Sequence, residues 1–350
     1  MSSPDPLSIT AKNHFVPELY LKGWAGADSN IWRYSLLVPN ENVHPWKKSS
    51  TGAIGYHRHL YTRIVGGVAD DEVEKWLNQD FETPAVLPLS SAISEQPLTP
   101  EDWSAILRFM WIQGARTPAG FLKFRERQIQ NLPAIMNESL EESVQKLEEA
   151  KKFGKTIAHN ASPAAKGFPS KITKTIEPGA EIGQVKVEVD VGRALWLWAL
   201  RQDYAGTMAA IGKLKTTIVR PPLGMNWVTS DDPVVLLNFR SATDYDFGGG
   251  YGQPGTQILF PLSPQHLLYA IVGGQSPFQK YQRVAETTGL WLQKFLIEHA
   301  HRMIFAVAPD PMVEKFHPRH VNLNDYNHEV AQWKKWHNEQ SGAEVALAKP

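Results

Sequence analysis

One stretch, Trp227–Val228–Thr229–Ser230–Asp231–Asp232–Pro233–Val234–Val235–Leu236–Leu237, constrains the fold most tightly. Val228 and Thr229 favour an extended backbone, and Val234 to Leu237 is a run apolar enough for a buried strand. Between them stand a hydroxyl and two adjacent carboxylates, with Pro233 holding Asp232 out of the α region. The pattern predicts a strand, a polar turn and a second strand. Three polar groups between buried strands cost free energy unless they are hydrogen-bonded or used. The turn is therefore a candidate site as well as a corner.

The rest of the chain supplies what must pack around that corner. With 350 residues, it exceeds the ~100–200 of an ordinary domain and can bury a large core. The expected organisation is a loose arm over 1–12, one large α+β domain over 13–320, and a C-terminal helix and tail over 321–350. Within the domain, the helical part is placed at about 70–211 and a mainly antiparallel sheet at about 213–308, with the N-terminal part also read as helical. Strands and helices do not alternate regularly, which argues against a parallel doubly wound sheet.

Local signals support this reading. Pro17 suits the first turn of a short helix with Leu19, Tyr20 and Trp24 inward, and His14 lies just before it. Ile31–Tyr34 alternates like a strand. Asp70 or Asp71 can cap a helix through Val73, Trp76, Leu77 and Phe81 that ends at Glu82 before Pro84. Thr99–Pro100–Glu101–Asp102 is a strong helix start, and Pro118 should break the helix beyond Gln113, Arg116 and Thr117. Helix resumes over 121–153, whose charged second half reads as a solvated face. Residues 153–183 carry scattered Gly, Pro, Ser and Lys and are expected to be a loop. Helix is expected over Val189–Ile211 and from about Gln279 to His301, and two strands within 258–271 joined by a Ser-Pro turn. Gly248–Gly252 lacks the Lys-Ser/Thr and helix of a phosphate loop, and reads as a flexible connection or a flap over a cleft.

Composition excludes some chemistries. There is no cysteine, so disulfides, thiolate nucleophiles and zinc–thiolate sites are ruled out. Basic and acidic residues balance at 36 each, so no global field draws the protein to nucleic acid or membrane. Residues 1–10 do not read as a signal peptide, and no apolar stretch is long enough to span a bilayer. The expected location is cytoplasmic. His57 and His59 alternate on one predicted strand face, a weak hint of metal binding.

Five segments together resemble the bacterial proteins grouped as domain of unknown function family 4238. They are Asn13–Leu21, with a His-x-x-Pro motif followed by Tyr-Leu; Glu82; Gln113–Pro118; Thr229–Val234; and Phe260–Pro264. At Asp232 the family more often has a neutral Asn or His. The resemblance implies a shared fold and site but no reaction. It gathers His14, Glu82, Gln113, Arg116, Ser230 and Asp231, whose types suit proton transfer, ion pairing or coordination of a hard divalent metal. Ser230 lacks the Gly-x-Ser-x-Gly turn of a serine hydrolase.

Two functions follow as expectations. One is a hydrolase, a metal-assisted phosphoesterase or nuclease acting on a small molecule or nucleic acid. In it His14, Arg116 and Asp231 are catalytic, and Glu82, Gln113, Thr117, Ser230 and Asp232 bind. The other is a non-catalytic binding or regulatory protein in which the same residues form a structural network. The cost of burying the Ser230–Asp231 turn also predicts that His14 and Arg116 meet it in one cleft.

Overall fold

Two antiparallel sheets meet at the Ser230–Pro233 turn. In the computed structural model, which describes residues 9–65, 67–155, 168–176 and 183–348, Thr229–Ser230 lies in one sheet and Val235–Ser241 in the other. The larger sheet runs in the order Asp244–Asp246, Val235–Ser241, Gln257–Ser263, His266–Ile271, Thr216–Arg220 and Gln282–Arg283. All its pairings are antiparallel except the last. The smaller sheet pairs Thr229–Ser230 with Met303–Ala306, then Asn30–Ser35, then Trp46–Ser50.

The strand Gln257–Ser263 is apolar along most of its length because both of its faces are covered. Ile258 and Phe260 join one core, whereas Leu259 joins the other. Leu268 and Ala270 against Leu267 and Tyr269 repeat the split, as the two-residue period of a strand requires. The first core belongs to the helices Thr83–Ile93, Pro100–Ala115 and Arg193–Ile211, and the second to the helix Glu286–His299.

The α+β class holds, with helices concentrated where expected in the middle of the chain. The N-terminal part is different. The regular elements within 12–70 are mostly strands, with one short α-helix, Glu18–Leu21, and short 3₁₀ turns. Tertiary pairing decides this: Asn30–Ser35 fills the gap between Met303–Ala306 and Trp46–Ser50, and Lys12–His14 pairs with Tyr56–Arg58. His14 thus ends a strand just ahead of the short helix that Pro17 caps. Of the expected arm over 1–12, residues 1–8 lie outside the described part.

Other boundaries shift for local reasons. The helix Glu72–Leu77 does not stop at Glu82; it passes through a π turn, Asn78–Glu82, into Thr83–Ile93, with Pro84 in the first turn. A π turn inserts one residue and rotates the helix beyond it. In the expected 153–183 loop, Ser170–Thr175 is a strand paired with Gln184–Val189; residues 156–167 and 177–182 lie outside the described part. That hairpin delays the next helix to Arg193–Ile211, and the strand Gln282–Arg283 delays another to Glu286–His299. Thr99 caps Pro100–Ala115 in a capping box with Asp102, and Thr117 caps Pro118–Lys152.

The C-terminal helix Leu323–Ala348 is tied down by a buried ion pair. Arg193 Nε and Nη2 donate to the two carboxylate oxygens of Glu344, each at 2.9 Å, and the Arg193 amide donates to Gln340. No described helix is long and apolar enough to cross a membrane.

Candidate active site

Asp231 and Asp232 are adjacent, yet they serve different neighbours. Asp231 Oδ1 accepts from the His301 amide at 3.0 Å and Oδ2 from the Arg302 amide at 2.9 Å, while its own amide donates to Met303. Burial pushes its carboxyl up to about 7; Asp232 adds to the rise, and the three backbone hydrogen bonds oppose it. Both oxygens are therefore engaged by the loop that leads into Met303–Ala306. Ser230 Oγ accepts from the Asp232 amide at 3.2 Å, closing the turn.

Asp232 lines a cavity of about 750 Å³. The cavity lies among the helices Pro100–Ala115, Pro118–Lys152 and Arg193–Ile211, the strand Val235–Ser241 and the glycine-rich segment 248–252. Trp111, Phe124, Trp196, Phe247 and Tyr251 supply aromatic surface, and Lys123, Arg127, Asp203, Asp232 and His299 supply charge or titratable groups. The glycine-rich segment lies tight against the strand. A Cβ on Gly249 would stand 2.6 Å from Thr256 Cγ2 and 2.9 Å from the Leu236 carbonyl oxygen, closer than any side chain allows.

Three groups converge at one end. Lys123 Nζ donates to Asp232 Oδ2 at 3.0 Å and to His299 Nε2 at 3.3 Å. His299 Nδ1 donates to the Asp232 carbonyl at 3.0 Å, and Thr117 Oγ1 stands 3.4 Å from Asp232 Oδ1. A carbonyl only accepts, so Nδ1 carries the proton and Nε2 of the neutral ring presents its lone pair towards Lys123. Burial lowers the His299 pKa, the Asp232 charge raises it and Lys123 lowers it, leaving it below the ordinary value. Burial also raises the Tyr251 phenol, with Asp232 adding to the effect. A hydrogen-bonded neutral imidazole next to a carboxylate, once the ammonium that donates to its lone pair moves aside, can accept a proton from water.

The expected residues divide between this cavity and a sealed network. Arg116 is 0% exposed. Its Nη1 donates to Glu82 at 2.7 Å and its Nε to the Phe15 carbonyl at 3.1 Å, and Gln113 Oε1, oriented to accept, lies 3.2 Å from Nε and Nη2. Burial disfavours the guanidinium charge, but Glu82 and its neighbours outweigh this and hold its pKa above the ordinary value. Glu82 stands at the end of the π turn. His14 sits nearby, 3.5 Å from Glu18, with its pKa lowered by burial.

The geometry therefore unites Glu82, Gln113 and Arg116 in one group, and Thr117 and Asp232 in another. The side chains of His14, Arg116 and Asp231 make no hydrogen bond to one another, and none of the three lines the cavity. Asp231 found backbone donors in place of a guanidinium. Among the described residues no group of three His, Asp or Glu side chains is placed to hold a metal ion. His57 and His59 instead pack against Trp333 and His337. Lys123 and His299 carry no mark in the sequence. One lies within a predicted helix and the other near the end of one, and nothing in their spacing singles them out.

The segments singled out in the sequence nonetheless touch. Tyr20 Oη donates to the Pro261 carbonyl and accepts from Thr229 Oγ1, both at 2.7 Å, so residues 13–21 dock on both the central turn and the strand Gln257–Ser263. The profile of a family described as protein of unknown function (DUF4238) matches residues 12–332. No curated protein and no solved structure matches the chain.

Proposed function

The chain belongs to this family of unknown function, and we propose from its cleft that it is a hydrolase acting on a small anionic ester, with a phosphoester as the first candidate. The observation that carries this reading is the fixed tautomer of His299, whose Nε2 lone pair faces Lys123 beside Asp232 in the cavity. Lys123 is 60% exposed at its side chain and free to follow a ligand. An entering anion draws the ammonium off Nε2, and Arg127 adds a second cation to the same cavity.

Water then occupies the place at Nε2. Its proton passes to the imidazole as its oxygen bonds to phosphorus, and the bond to the leaving oxygen breaks. The imidazolium returns the proton to that oxygen. Asp232 positions the ring through its carbonyl and balances the imidazolium charge through its carboxylate. The volume and aromatic walls favour a small substrate over a nucleic-acid strand.

A second reading is a binding protein without turnover. It is supported by the sealing of Arg116 and Asp231, whose polar groups are engaged within the protein. The test is a screen with p-nitrophenyl phosphate, bis-p-nitrophenyl phosphate and p-nitrophenyl acetate, comparing the wild type with His299→Ala. Turnover lost in the variant supports the hydrolase. Binding of the phosphate compounds without turnover favours the second reading, and turnover equal in both proteins overturns the role of His299.

A further inference from the structure

A second cavity, of about 680 Å³, lies on the other side of the helix Arg193–Ile211. That helix presents Tyr204, Met208 and Ile211 to it, at i, i+4 and i+7, whereas Ala199, Asp203, Thr207 and Ala210 face the cavity of His299. The remaining walls include Trp103, Arg108, Leu214 and Lys280. Among the described residues no Asp or Glu lines it, and it holds two cations.

Neither cation has an acidic partner. Arg108 makes no hydrogen bond or ion pair among the described residues, and its Nε is shut off from solvent. Lys280 Nζ lies only over rings, 5.5 Å from the Trp103 centroid and 4.9 Å from that of Tyr281. The Nη groups of Arg108 have no partner among the described residues either and are not shut off from solvent, and a planar anion can take both of their N–H donors at once. The fully buried Arg193 has such a carboxylate in Glu344, and the fully buried Arg116 has Glu82 on its Nη1.

We propose that this cavity binds a small amphipathic anion, a carboxylate or phosphate monoester carried on a flat apolar body. Arg108 takes the anionic head in a bidentate contact and Lys280 adds charge. The body packs against Trp103, Tyr204, Met208 and Leu214. The site is separate from the proposed catalytic cleft and does not depend on it.

Calorimetric titration of the full chain tests this with 1-naphthoate and 1-naphthyl phosphate, and with 1-naphthalenemethanol as the uncharged control. At least one anion should bind about tenfold more tightly than the alcohol. Arg108→Gln and Lys280→Gln should each weaken that anion about tenfold, while Lys47→Gln, on the strand Trp46–Ser50 and outside both cavities, leaves it unchanged. Either preference between the two anions supports the site and identifies the head group. Thermal melting verifies the fold of each variant; Lys280→Gln disturbs no hydrogen bond and keeps the test open if Arg108→Gln unfolds. Equal affinity for anion and alcohol, no binding of either anion, indifference to Lys280→Gln in the folded protein, or an equal loss in Lys47→Gln would overturn the proposal.

Discussion

Asp232 holds His299 by both faces of its chemistry: its carbonyl accepts from Nδ1 at 3.0 Å while its Oδ2 lies 3.6 Å from Nε2. The backbone contact sets the tautomer, and the carboxylate sets the charge that the ring can bear. Neither could be replaced by a carboxylate placed elsewhere, because the first comes from the turn itself.

This relationship predicts a pH profile. A buried imidazole with a lowered pKa acts as a base at pH values where an ordinary histidine is still protonated. Activity on the ester turned over in the screen should rise with pH through an inflection below 6.5. His299→Ala should lower kcat by about 10²–10⁴-fold. Lys123→Met removes a charge that favours the neutral ring, so the inflection should move to higher pH. A profile unmoved by Lys123→Met would separate the two groups functionally.

Breaking the sealed pair should cost stability. Arg116→Ala leaves Glu82 and the Phe15 carbonyl without their donor, and loss of one member of a buried pair costs about 3–5 kcal/mol. Urea denaturation should show it, with part of the loss recovered when Glu82→Gln is added. A change under about 1 kcal/mol would mean that water replaces the guanidinium at once.

Glu74 predicts a dependence of stability on pH. Burial raises its pKa from 4.5 to about 7, against the pull of Arg116. The folded chain then holds that proton more tightly than the unfolded one. The stabilisation is complete below about 4.5 and is lost as pH rises through 7. Glu74→Gln should raise the melting temperature at pH 8, by a free energy on the order of 1–3 kcal/mol, and reduce the slope between these limits. Asp231 titrates upward in the same window, so a slope should remain.

The C-terminal helix should depend on one carboxylate. Glu344 accepts both Arg193 contacts and the Ile64 amide at 2.7 Å. Glu344→Ala should cost about 3–5 kcal/mol and remove amide-exchange protection over the last turns of Leu323–Ala348. Unchanged protection would show that apolar contacts such as Trp336 suffice.

Where local chemistry decides structure, the sequence was readable. The Thr99 capping box, the Thr117 cap before Pro118 and the two strands within 257–271 needed only neighbouring residues. The Trp227–Leu237 corner was legible because two apolar runs flank three polar groups. Among the N-terminal strands, Asn30–Ser35 was legible in the alternation of Ile31–Tyr34, whereas Lys12–His14 and Trp46–Ser50 were not, since each is extended through its pairing with a partner strand. The π turn was hidden too, because its one-residue insertion leaves helical composition unchanged. In the site, Asp232 and Thr117 stood on recognisable segments. His299 and Lys123 are brought to them by the packing of two helices against a strand, which no single segment encodes.

The pairing of Asn30–Ser35 with Met303–Ala306 bears on how the chain is made. The N-terminal strand leaves the ribosome about 270 residues before its partner exists. At synthesis rates of about 5–20 residues per second, it waits roughly 15–50 s with an unpaired edge. Lys47 and Lys48, on the neighbouring strand Trp46–Ser50, put positive charge on that nascent hairpin and discourage it from joining others. Completion of this sheet therefore waits on late synthesis, and crowded translation at high expression is where the chain would be lost to aggregation first.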